Sequence, residues 1–220
     1  MIKFSQTCTF NWEGAIRGMR NPMNSHDKSD SFVGCGIYEY PYCGESCREA
    51  CHFVVGKNDL TLMKKLAKAG SDHRKFMRQI FVSVDITAPL YWWKEFDTYK
   101  VGTVANSTST MHKIHAKEFE MNDFGTDNMT EVGVAVLRDL VSVLENWRFS
   151  FNETKDKAIW YDIISLLPST YLQKRTVTLN YENLVNMYHA RKNHKLDEWR
   201  TFCDWIKDLP YSEIITGVKE

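Results

Sequence analysis

The segment APLYWWKEFDTYKVGTVANSTSTMHKI, from Ala88 to Ile114, is the most informative part of this sequence. Three adjacent aromatic residues, Tyr91, Trp92 and Trp93, lie near its start, and a charged run follows to Lys100. The part from Gly102 to Thr110 has no carboxylate and is rich in hydroxyl and amide side chains, namely Thr103, Asn106, Ser107, Thr108, Ser109 and Thr110. Such a segment is either a solvated loop or a cradle for a phosphate or nucleotide, because hydroxyl and backbone N–H groups bind anions without a large excess of charge.

The composition is that of a globular protein, with 43% hydrophobic and 25% charged residues in a chain of 220. There are 28 basic and 28 acidic residues, so the formal net charge is zero. A chain without net charge has no global field that attracts nucleic acid or an anionic membrane. We therefore expect neither as a partner, and any anion site has to be local.

The N-terminal stretch MIKFSQTCTFNWEGAIRG lacks the apolar centre of a signal peptide. No apolar run approaches the roughly 20 residues of a membrane helix. We expect a cytoplasmic protein with reduced thiols. Cys35, Cys43, Cys47 and Cys51 are close in sequence, but their spacing differs from that of common zinc sites, so we predict a group of reduced thiols rather than a metal site.

The order of predicted elements indicates one α+β domain over residues 1–220. Asn11 is predicted to cap a helix that ends at Arg20, and a long irregular segment follows, over about 21–57. Asn58 or Asp59 is predicted to open a helix that stops at Gly70. Alternation of apolar residues predicts a strand over Phe76 to Ile86, and Pro89 then suits the first turn of an aromatic helix.

The second half of the sequence is predicted to be mostly helical. A helix from about Met129 to Trp147 has an apolar stripe that predicts a core-facing element, made of Val132, Val136, Leu137, Leu140, Val143 and Leu144. A helix over about Asp156 to Leu167, a strand over Arg175 to Asn180 and two final helices, Tyr181 to His194 and Leu196 to Leu209, complete the chain. No GxSxG, P-loop, GxGxxG, HExxH or EF-hand pattern is present.

The order of these elements resembles that of the flavin-dependent thymidylate synthases (ThyX), whose signature is RHRxxSxNExSxRY. Ala88-Pro89 stands where the helix of that family begins, and the signature falls on residues 98–111. The segment AIRGMR, residues 15–20, resembles the first helix of the family, and LVNMYHAR, residues 184–191, resembles its SLMNFLNLR-like segment. The similarity extends over most of the chain.

The resemblance implies a ThyX-like fold, with an antiparallel sheet flanked by helices, in a homotetramer whose active sites lie between subunits. It implies FAD as cofactor, a pyrimidine nucleotide as substrate, and methylene-tetrahydrofolate and NADPH as co-substrates for methyl transfer to C5 of dUMP, the reaction of dTMP biosynthesis. The residues it implies for nucleotide binding are Glu95, Lys100, Asn106, Ser107, Thr108, Ser109, Thr110, Lys174, Arg175 and Arg191. Those it implies for cofactor binding are His73, Thr98, Tyr99, Lys100, Thr103, Asn186, His189 and His194.

The signature is degenerate in this chain. Its first Arg and His correspond to Thr98 and Tyr99, its Glu to Asn106 and its last Arg to Thr110, while Lys100 keeps a cation. The loss of guanidinium groups removes the strongest phosphate contacts. The sequence thus supports two hypotheses, a divergent flavin-dependent nucleotide synthase and a catalytically inactive ThyX-like protein that binds a nucleotide. A third hypothesis is a structural or interaction protein whose hydroxyl-rich segment is only solvated.

Overall fold

The structure, a computed structural model, describes residues 2–35 and 51–218. Their contacts group the chain into two compact units. The first unit consists of Met1–Gln6, Val84–Lys100 and Ala105–Val177, and the second of Thr7–Ser83, Val101–Val104 and Thr178–Glu220. The side chains of Cys35, Cys43, Cys47 and Cys51 lie outside the described part of the chain, so the hypothesis for that cluster stays a prediction.

The strands are β1 (Lys3–Phe10), β2 (Phe32–Cys35), β3 (Cys51–Val54), β4 (Phe81–Pro89), β5 (Val104–Ser107) and β6 (Leu172–Asn180). The helices are α1 (Trp12–Arg20), α2 (Lys57–Lys68), α3 (Leu90–Phe96), α4 (Glu131–Thr154), α5 (Lys157–Leu166), α6 (Tyr181–Arg191), α7 (Asp197–Lys207) and α8 (Glu213–Thr216). Within residues 2–35 and 51–218, none of these helices combines the length and the apolar character needed to cross a membrane.

Four strands form an antiparallel sheet in the order β1-β4-β6-β5, so β5 is an edge strand. β2 and β3 form a separate antiparallel pair, in which Phe32 lies opposite Val54. The expected fold class, an antiparallel sheet flanked by helices, is confirmed. The segment 21–57, which we predicted to be irregular apart from a short strand over His52 to Val55, contains both strands of the small sheet. β3 confirms the short strand, whereas β2 was not predicted.

The central strand and the aromatic helix are displaced from their predicted bounds. Lys75–Gln79 forms a 3-10 turn, so β4 begins at Phe81 and not at Phe76. In β4 every second residue from Val82 to Ala88 is buried, which confirms the predicted alternation. Pro89 precedes α3 with an extended backbone and is not part of its first turn.

A group of three aromatic residues organises the second unit. The ring of Trp12 meets the rings of Tyr181 and Tyr211 edge-on, each at 5.2 Å between centroids. The hydroxyl group of Tyr181 donates to the carbonyl oxygen of Pro210 at 2.6 Å, and burial raises the pKa of this hydroxyl. Rings that meet at an edge are attractive beyond the area that they bury. This contact fixes α1 against the start of α6 and the segment before α8.

A buried ion pair joins α1 and α2 within the second unit. The Nε atom of Arg20 lies 2.6 Å from Oδ1 of Asp59, and both side chains are almost completely buried. The remaining donors of the guanidinium group reach the carbonyl oxygens of Ser25 and Lys28, each at 3.0 Å. A buried charge is tolerated only when it is paired and hydrogen-bonded, and here the pairing is complete enough to satisfy the guanidinium group.

The carboxylate of Asp59 also organises the segment before β2. It accepts hydrogen bonds from the hydroxyl groups of Ser29 and Ser31, at 2.7 and 2.6 Å. Burial by itself raises the pKa of Asp59, but the hydrogen bonds from Ser31, Ser29 and Arg20 lower it more, so the pKa lies below its ordinary value. The carboxyl group is therefore ionised at neutral pH despite its burial.

Helices α1 and α2 begin at or near their predicted positions, but the expected local side chains do not cap them. Asn11 adopts a left-handed conformation, and its side chain donates to the carbonyl oxygen of Gln79 rather than capping α1. The start of α2 is capped by Asp30, whose carboxylate accepts the backbone N–H groups of Asn58 and Asp59 at 2.8 and 3.1 Å. In both cases a hydrogen bond between groups that are distant in sequence forms instead of a local capping bond.

One hydrophobic cluster of the first unit lies between α4 and α5. Leu137, Val141 and Leu144 of α4 are buried together with Ile163 of α5. The apolar stripe of α4 was predicted to be core, but three of its valines are exposed: Val132 by 75%, Val136 by 63% and Val143 by 40%. These three residues lie within an arc of about 40° on the helix. The apolar sector of α4 is therefore wider than the face that α5 and the neighbouring loops cover.

We predict that Asp59→Asn lowers the free energy of unfolding by about 3–5 kcal/mol, because it leaves the buried Arg20 without its counter-charge. The measurement is chemical denaturation followed by circular dichroism. Glu13→Gln is the matched control, since it removes the exposed partner of Arg17 and should cost less than about 1 kcal/mol. Equal losses in the two variants would contradict the assignment of Arg20 and Asp59 as an anchor.

The carboxyl group of Asp59 also makes the stability of the fold depend on pH. Because the pKa of Asp59 is lower in the folded state than in the unfolded state, its ionised form stabilises the fold at neutral pH. This stabilisation is lost as the pH falls below the ordinary value of about 3.9 and through the lowered folded-state pKa. Asp59→Asn should therefore unfold with a weaker dependence on pH in this acidic range than the parent protein.

Candidate functional site

Arg175 is the centre of a polar cluster in the first unit. Its guanidinium carbon lies 4.2 Å from the centroid of the Trp93 ring, which is a cation–π geometry. Its Nη1 atom lies 2.7 Å from Oδ1 of Asp97, and its Nε donates to Oε1 of Gln173 at 3.0 Å. We call Trp93, Asp97, Gln173 and Arg175 the Arg175 cluster. It holds one guanidinium group in a fixed orientation.

The Arg175 cluster is connected to the hydroxyl-rich segment through Gln173. Nε2 of Gln173 donates to the carbonyl oxygen of Thr108 at 2.7 Å, and the N–H of Thr108 donates to the carbonyl oxygen of Lys174 at 2.9 Å. The indole N–H of Trp93 donates to the carbonyl oxygen of Gln173 at 3.0 Å. These bonds tie the end of β5 to β6 and to α3, so the segment that looked like a loop is anchored at Thr108.

The middle of the hydroxyl-rich segment is an edge strand. β5, Val104–Ser107, is exposed along its whole length, which corrects the prediction of a loop at these positions. Its continuation forms a tight turn in which Oγ of Ser109 accepts the N–H groups of Met111 and Lys113, each at 3.3 Å. The segment therefore presents polar side chains on a defined backbone.

Lys174 belongs to a second ion pair of the first unit. Its Nζ lies 2.7 Å from Oδ2 of Asp85, and the hydroxyl of Thr176 donates to Oδ1 of Asp85 at 2.6 Å. The hydrogen bonds from Lys174 and Thr176 lower the pKa of Asp85, so this carboxyl group is ionised at neutral pH. Lys174 and Arg175, two of the cations expected to bind the nucleotide, each have a carboxylate partner within the protein.

A cavity of about 400 Å³ in the second unit contains two of the residues predicted to bind a cofactor. Asn186 and His189 of α6 line it together with Gly70, Ser71 and Arg74. This volume lies at the small end of the range of about 300–1,000 Å³ that is usual for ligand sites. Hydroxyl, amide, imidazole and guanidinium groups meet in one concave surface, which suits a polar ligand with acceptor groups.

Arg74 reaches this cavity while it is anchored by Glu182. Its Nε lies 2.9 and 3.0 Å from the two carboxylate oxygens of Glu182, and both side chains are mostly buried. The guanidinium group keeps further N–H donors beyond Nε. Its position is therefore fixed by the ion pair, and the other donors are available to a ligand of the cavity.

The remaining predicted residues of the second unit are placed in different surroundings. His73 is exposed in the turn after α2, and Nδ1 of His194 accepts the N–H of Leu196 at 3.2 Å. The guanidinium of Arg191 stacks on Trp199 at 4.7 Å from the ring centroid. The hydroxyl oxygen of Thr103 is buried and has no hydrogen-bond partner among the described residues. An unsatisfied buried hydroxyl indicates a place where a ligand or water supplies the bond.

Most of the predicted signature residues lie in the first unit, on or beside α3 and β5. The hydroxyl of Thr98 is used locally, because it donates to the carbonyl oxygen of Glu95 at 2.7 Å. Lys100 is exposed, and Tyr99 is half-buried. The structure brings Thr108 close to Lys174 and Arg175. Of the other predicted nucleotide-binding residues in this unit, Asn106, Ser107 and Ser109 are exposed and Thr110 is half-buried.

Sequence reasoning missed Asp97, Gln173 and Arg74 as parts of the candidate site. One available signal was the alternation of β6, because Gln173 and Arg175 occupy the same face as the buried Val177. A polar pair on the apolar face of a strand needs partners inside the protein. No comparable local pattern identifies Asp97, which lies 78 residues from its partner in the chain.

Comparison with known proteins gives a result only at the level of structure. No protein-family model matches the sequence, and no curated protein is similar to it at the level of sequence. A flavin-dependent thymidylate synthase ThyX from Helicobacter pylori, complexed with FAD and dUMP, matches with a TM-score of 0.66 and 15% identity. The match covers 98% of this chain and 100% of the other.

This chain has a ThyX-like fold. A second structure of ThyX from Helicobacter pylori with FAD and dUMP matches with a TM-score of 0.63 and 15% identity over 97% of this chain and 96% of the other. The UMP/dUMP methylase PolB from Streptomyces cacaoi, bound with 5-Br dUMP, matches with a TM-score of 0.58 and 14% identity over 99% and 96% of the two chains. At such low identity the ThyX-like fold is what the likeness shows.

We predict that Gln173→Leu loosens the anchor of β5. Loss of the bond to the Thr108 carbonyl, worth about 0.5–1.5 kcal/mol net, should increase the hydrogen-exchange rate of the Thr108 amide several-fold. The measurement is amide exchange by NMR or mass spectrometry. Thr176→Val, on the same strand, is the control and should leave this amide unchanged. Unaltered exchange of Thr108 in Gln173→Leu would show that the edge strand is held by other contacts.

Proposed function

We propose that this protein is a ThyX-like flavin-dependent enzyme that transfers a one-carbon unit to C5 of a pyrimidine nucleotide. The observation that carries the proposal is the likeness over nearly the whole chain to a ThyX complexed with FAD and dUMP and to a UMP/dUMP methylase. The substrate is dUMP or a related pyrimidine nucleotide, and methylene-tetrahydrofolate and NADPH are the expected co-substrates. The placement of polar groups in both units supports the proposal.

The residues of the second unit fit part of a flavin dinucleotide. Ser71, Arg74, Asn186 and His189 provide donors and acceptors around one cavity, and the orphaned hydroxyl of Thr103 is a further acceptor and donor. Such groups suit the diphosphate, ribose and ring nitrogen atoms of a dinucleotide. When it is bound, FAD supplies hydride chemistry, and the protein supplies binding and orientation.

The residues of the first unit fit the nucleotide. The exposed hydroxyl and amide groups of Asn106, Ser107 and Ser109 suit sugar hydroxyls and base edges. Arg175, held by Trp93 and Gln173, is the guanidinium group best placed to orient a phosphate beside them. These side chains bind and orient the nucleotide, and the proposal assigns none of them as a nucleophile.

A second candidate function is nucleotide binding without catalysis. The observation that favours it is the charge balance of the first unit, where Asp85 and Asp97 hold Lys174 and Arg175. Asn106 stands in place of the signature carboxylate, and the amide and hydroxyl groups of this segment could still bind a base and a sugar. A protein of this kind would sequester or sense a nucleotide and would need neither folate nor NADPH.

We predict that the purified protein binds FAD, detected as a change in flavin fluorescence on titration. His189→Ala should weaken this binding about tenfold, which is about 1.4 kcal/mol, because it removes one polar side chain from the cavity. His26→Ala is the matched control and should bind FAD like the parent. Absence of FAD binding by the parent protein would contradict the flavoenzyme.

Thermal denaturation distinguishes the two candidates. A ligand that binds only the folded state stabilises it, by about 2.7 kcal/mol at a concentration of 100 times Kd. If the protein is the enzyme, FAD and dUMP should each stabilise its folded state, and methylated product should form when folate and NADPH are added. If the protein only binds a nucleotide, dUMP alone should stabilise its folded state, and no methylated product should form. No response to any pyrimidine nucleotide would contradict both.

We further propose that the protein forms a homotetramer with its sites at subunit interfaces. The exposed valines of α4 form an apolar strip within a helix of 24 residues, and a second copy of the chain is the partner that would cover it. Subunits of a symmetric oligomer bury such self-complementary strips against each other.

We predict that Val136→Asp shifts the protein to smaller assemblies, because it places a charge in the middle of the apolar strip. The measurement is light scattering after size-exclusion chromatography. Met23→Asp, at another highly exposed apolar residue, is the control and should leave the assembly unchanged. A parent protein that is monomeric at all concentrations tested would contradict the assembly and leave the fold unaffected.

A further inference from the structure

The guanidinium group of Arg175 is held by three contacts of very different exposure. Trp93 and Gln173 are 1% and 5% exposed, so the ring under the guanidinium group and the amide at its Nε are fixed in the protein. The third contact, the Asp97 carboxylate, is 51% exposed, whereas the side chain of Arg175 is only 15% exposed. Two contacts therefore orient the guanidinium group, and the third is the one that solvent and ligands reach.

Asp97 occupies the position that an anionic ligand of Arg175 would take. Its carboxylate accepts from Nη1, which is one of the donors that a phosphate uses in a paired, two-bond contact with a guanidinium group. In the described part of the chain, the other polar contact of this guanidinium group is made by Nε to Gln173. A phosphate that uses this Nη1 donor has to displace Asp97 from it, whereas a ligand without charge has nothing to exchange for the carboxylate.

Displacement of Asp97 is energetically feasible. Asp97 directly follows α3, and its side chain is the exposed partner of the ion pair. Exposed ion pairs contribute about 0.2–1 kcal/mol. A phosphate monoester carries between one and two negative charges at neutral pH, because its second pKa is about 6. Its charge is greater than that of the carboxylate, and the buried Trp93 and Gln173 keep Arg175 in place during the exchange.

If Asp97 stayed in place, it would repel a phosphate at Arg175. Two anions that share one guanidinium group compete for its donors and raise each other's energy. The neighbouring cation Lys174 does not relieve this competition, because it is paired with Asp85 at 2.7 Å. Helix α3 and the residues just after it also carry Lys94, Glu95 and Lys100, whose charges sum to one positive charge. This surplus attracts a phosphate without replacing Asp97.

We propose that Asp97 is a specificity-determining residue. Its carboxylate stays hydrogen-bonded to Arg175 until the phosphate of a nucleotide displaces the carboxylate. This inference rests on the proposed function, because it concerns the phosphate of the same pyrimidine nucleotide. Asp97 lowers the affinity for every ligand that needs Arg175 and leaves ligands without phosphate unaffected. The site then distinguishes a nucleoside monophosphate from weaker anions through the energy of one ion-pair exchange.

The test compares dUMP with deoxyuridine, which lacks the phosphate, by isothermal titration calorimetry. Asp97→Asn keeps the size of the side chain and removes its charge, so it should tighten dUMP binding about fivefold, or about 1 kcal/mol. Deoxyuridine affinity should not change. Asp204→Asn is the matched control, since Asp204 is the exposed partner of Lys207 on α7 at 2.8 Å. It makes the same change in net charge and should alter neither affinity.

The double variant Asp97→Asn with Arg175→Gln tests whether the gain passes through Arg175. In a double-mutant cycle, the tighter binding of dUMP should be present with Arg175 and absent with Gln at this position. Asp97→Ser is a second neutral variant, in case the first disturbs the end of α3. Circular dichroism confirms that each variant is folded before titration.

The outcomes separate this inference from the proposed function. If the parent binds dUMP and neither neutral variant at position 97 binds it more tightly, the role of Asp97 is wrong and the proposed function stands. Equal tightening of dUMP and deoxyuridine, or an equal gain in Asp204→Asn, also overturns the role of Asp97. If neither the parent nor any variant binds dUMP or FAD, the proposed function fails and the inference fails with it.

Discussion

The burial of the Asp59 carboxylate is the constraint on which the arrangement of the second unit depends. A buried carboxylate is tolerated only with a counter-charge and several hydrogen bonds. Arg20 supplies the charge from the end of α1, while Ser29 and Ser31 supply hydroxyl donors from the segment before β2. One side chain of α2 thereby fixes the end of another helix and a segment without regular structure, which no apolar contact would orient so specifically.

The same principle, with less burial, governs the candidate site of the first unit. Arg175 is paired with Asp97, and Lys174 with Asp85, so the charges that could bind a phosphate are balanced before any ligand arrives. The charges of these two cations and two carboxylates therefore cancel. A site of this kind binds an anion by exchange of partners, and its selectivity depends on how exposed each carboxylate is. The exposed Asp97 differs in this respect from Asp85, which also accepts a hydrogen bond from Thr176.

The elements with strong periodicity could be predicted, and those that depend on partners could not. The alternation in β4 and the long helix α4 are found near their predicted positions, because burial of one face imposes a period that sequence displays. The exposure of Val132 and Val136 was not predictable, since the sequence shows that a residue is apolar but not which neighbour covers it. Likewise, Asn11 was a plausible cap, but its side chain bonds to the distant Gln79, and the distant Asp30 caps the start of α2.

For the candidate site, the sequence alone determined where the polar chemistry lies. It identified the hydroxyl-rich segment after an aromatic helix, the fold class through the order of elements, and Asn186 and His189 on one helix. Only the tertiary structure decided that the segment is an edge strand and that Arg175 is held by Trp93 and Asp97. The physical reason is that composition and periodicity are local properties, whereas ion pairing joins residues far apart in the chain and depends on distances that only the folded backbone sets.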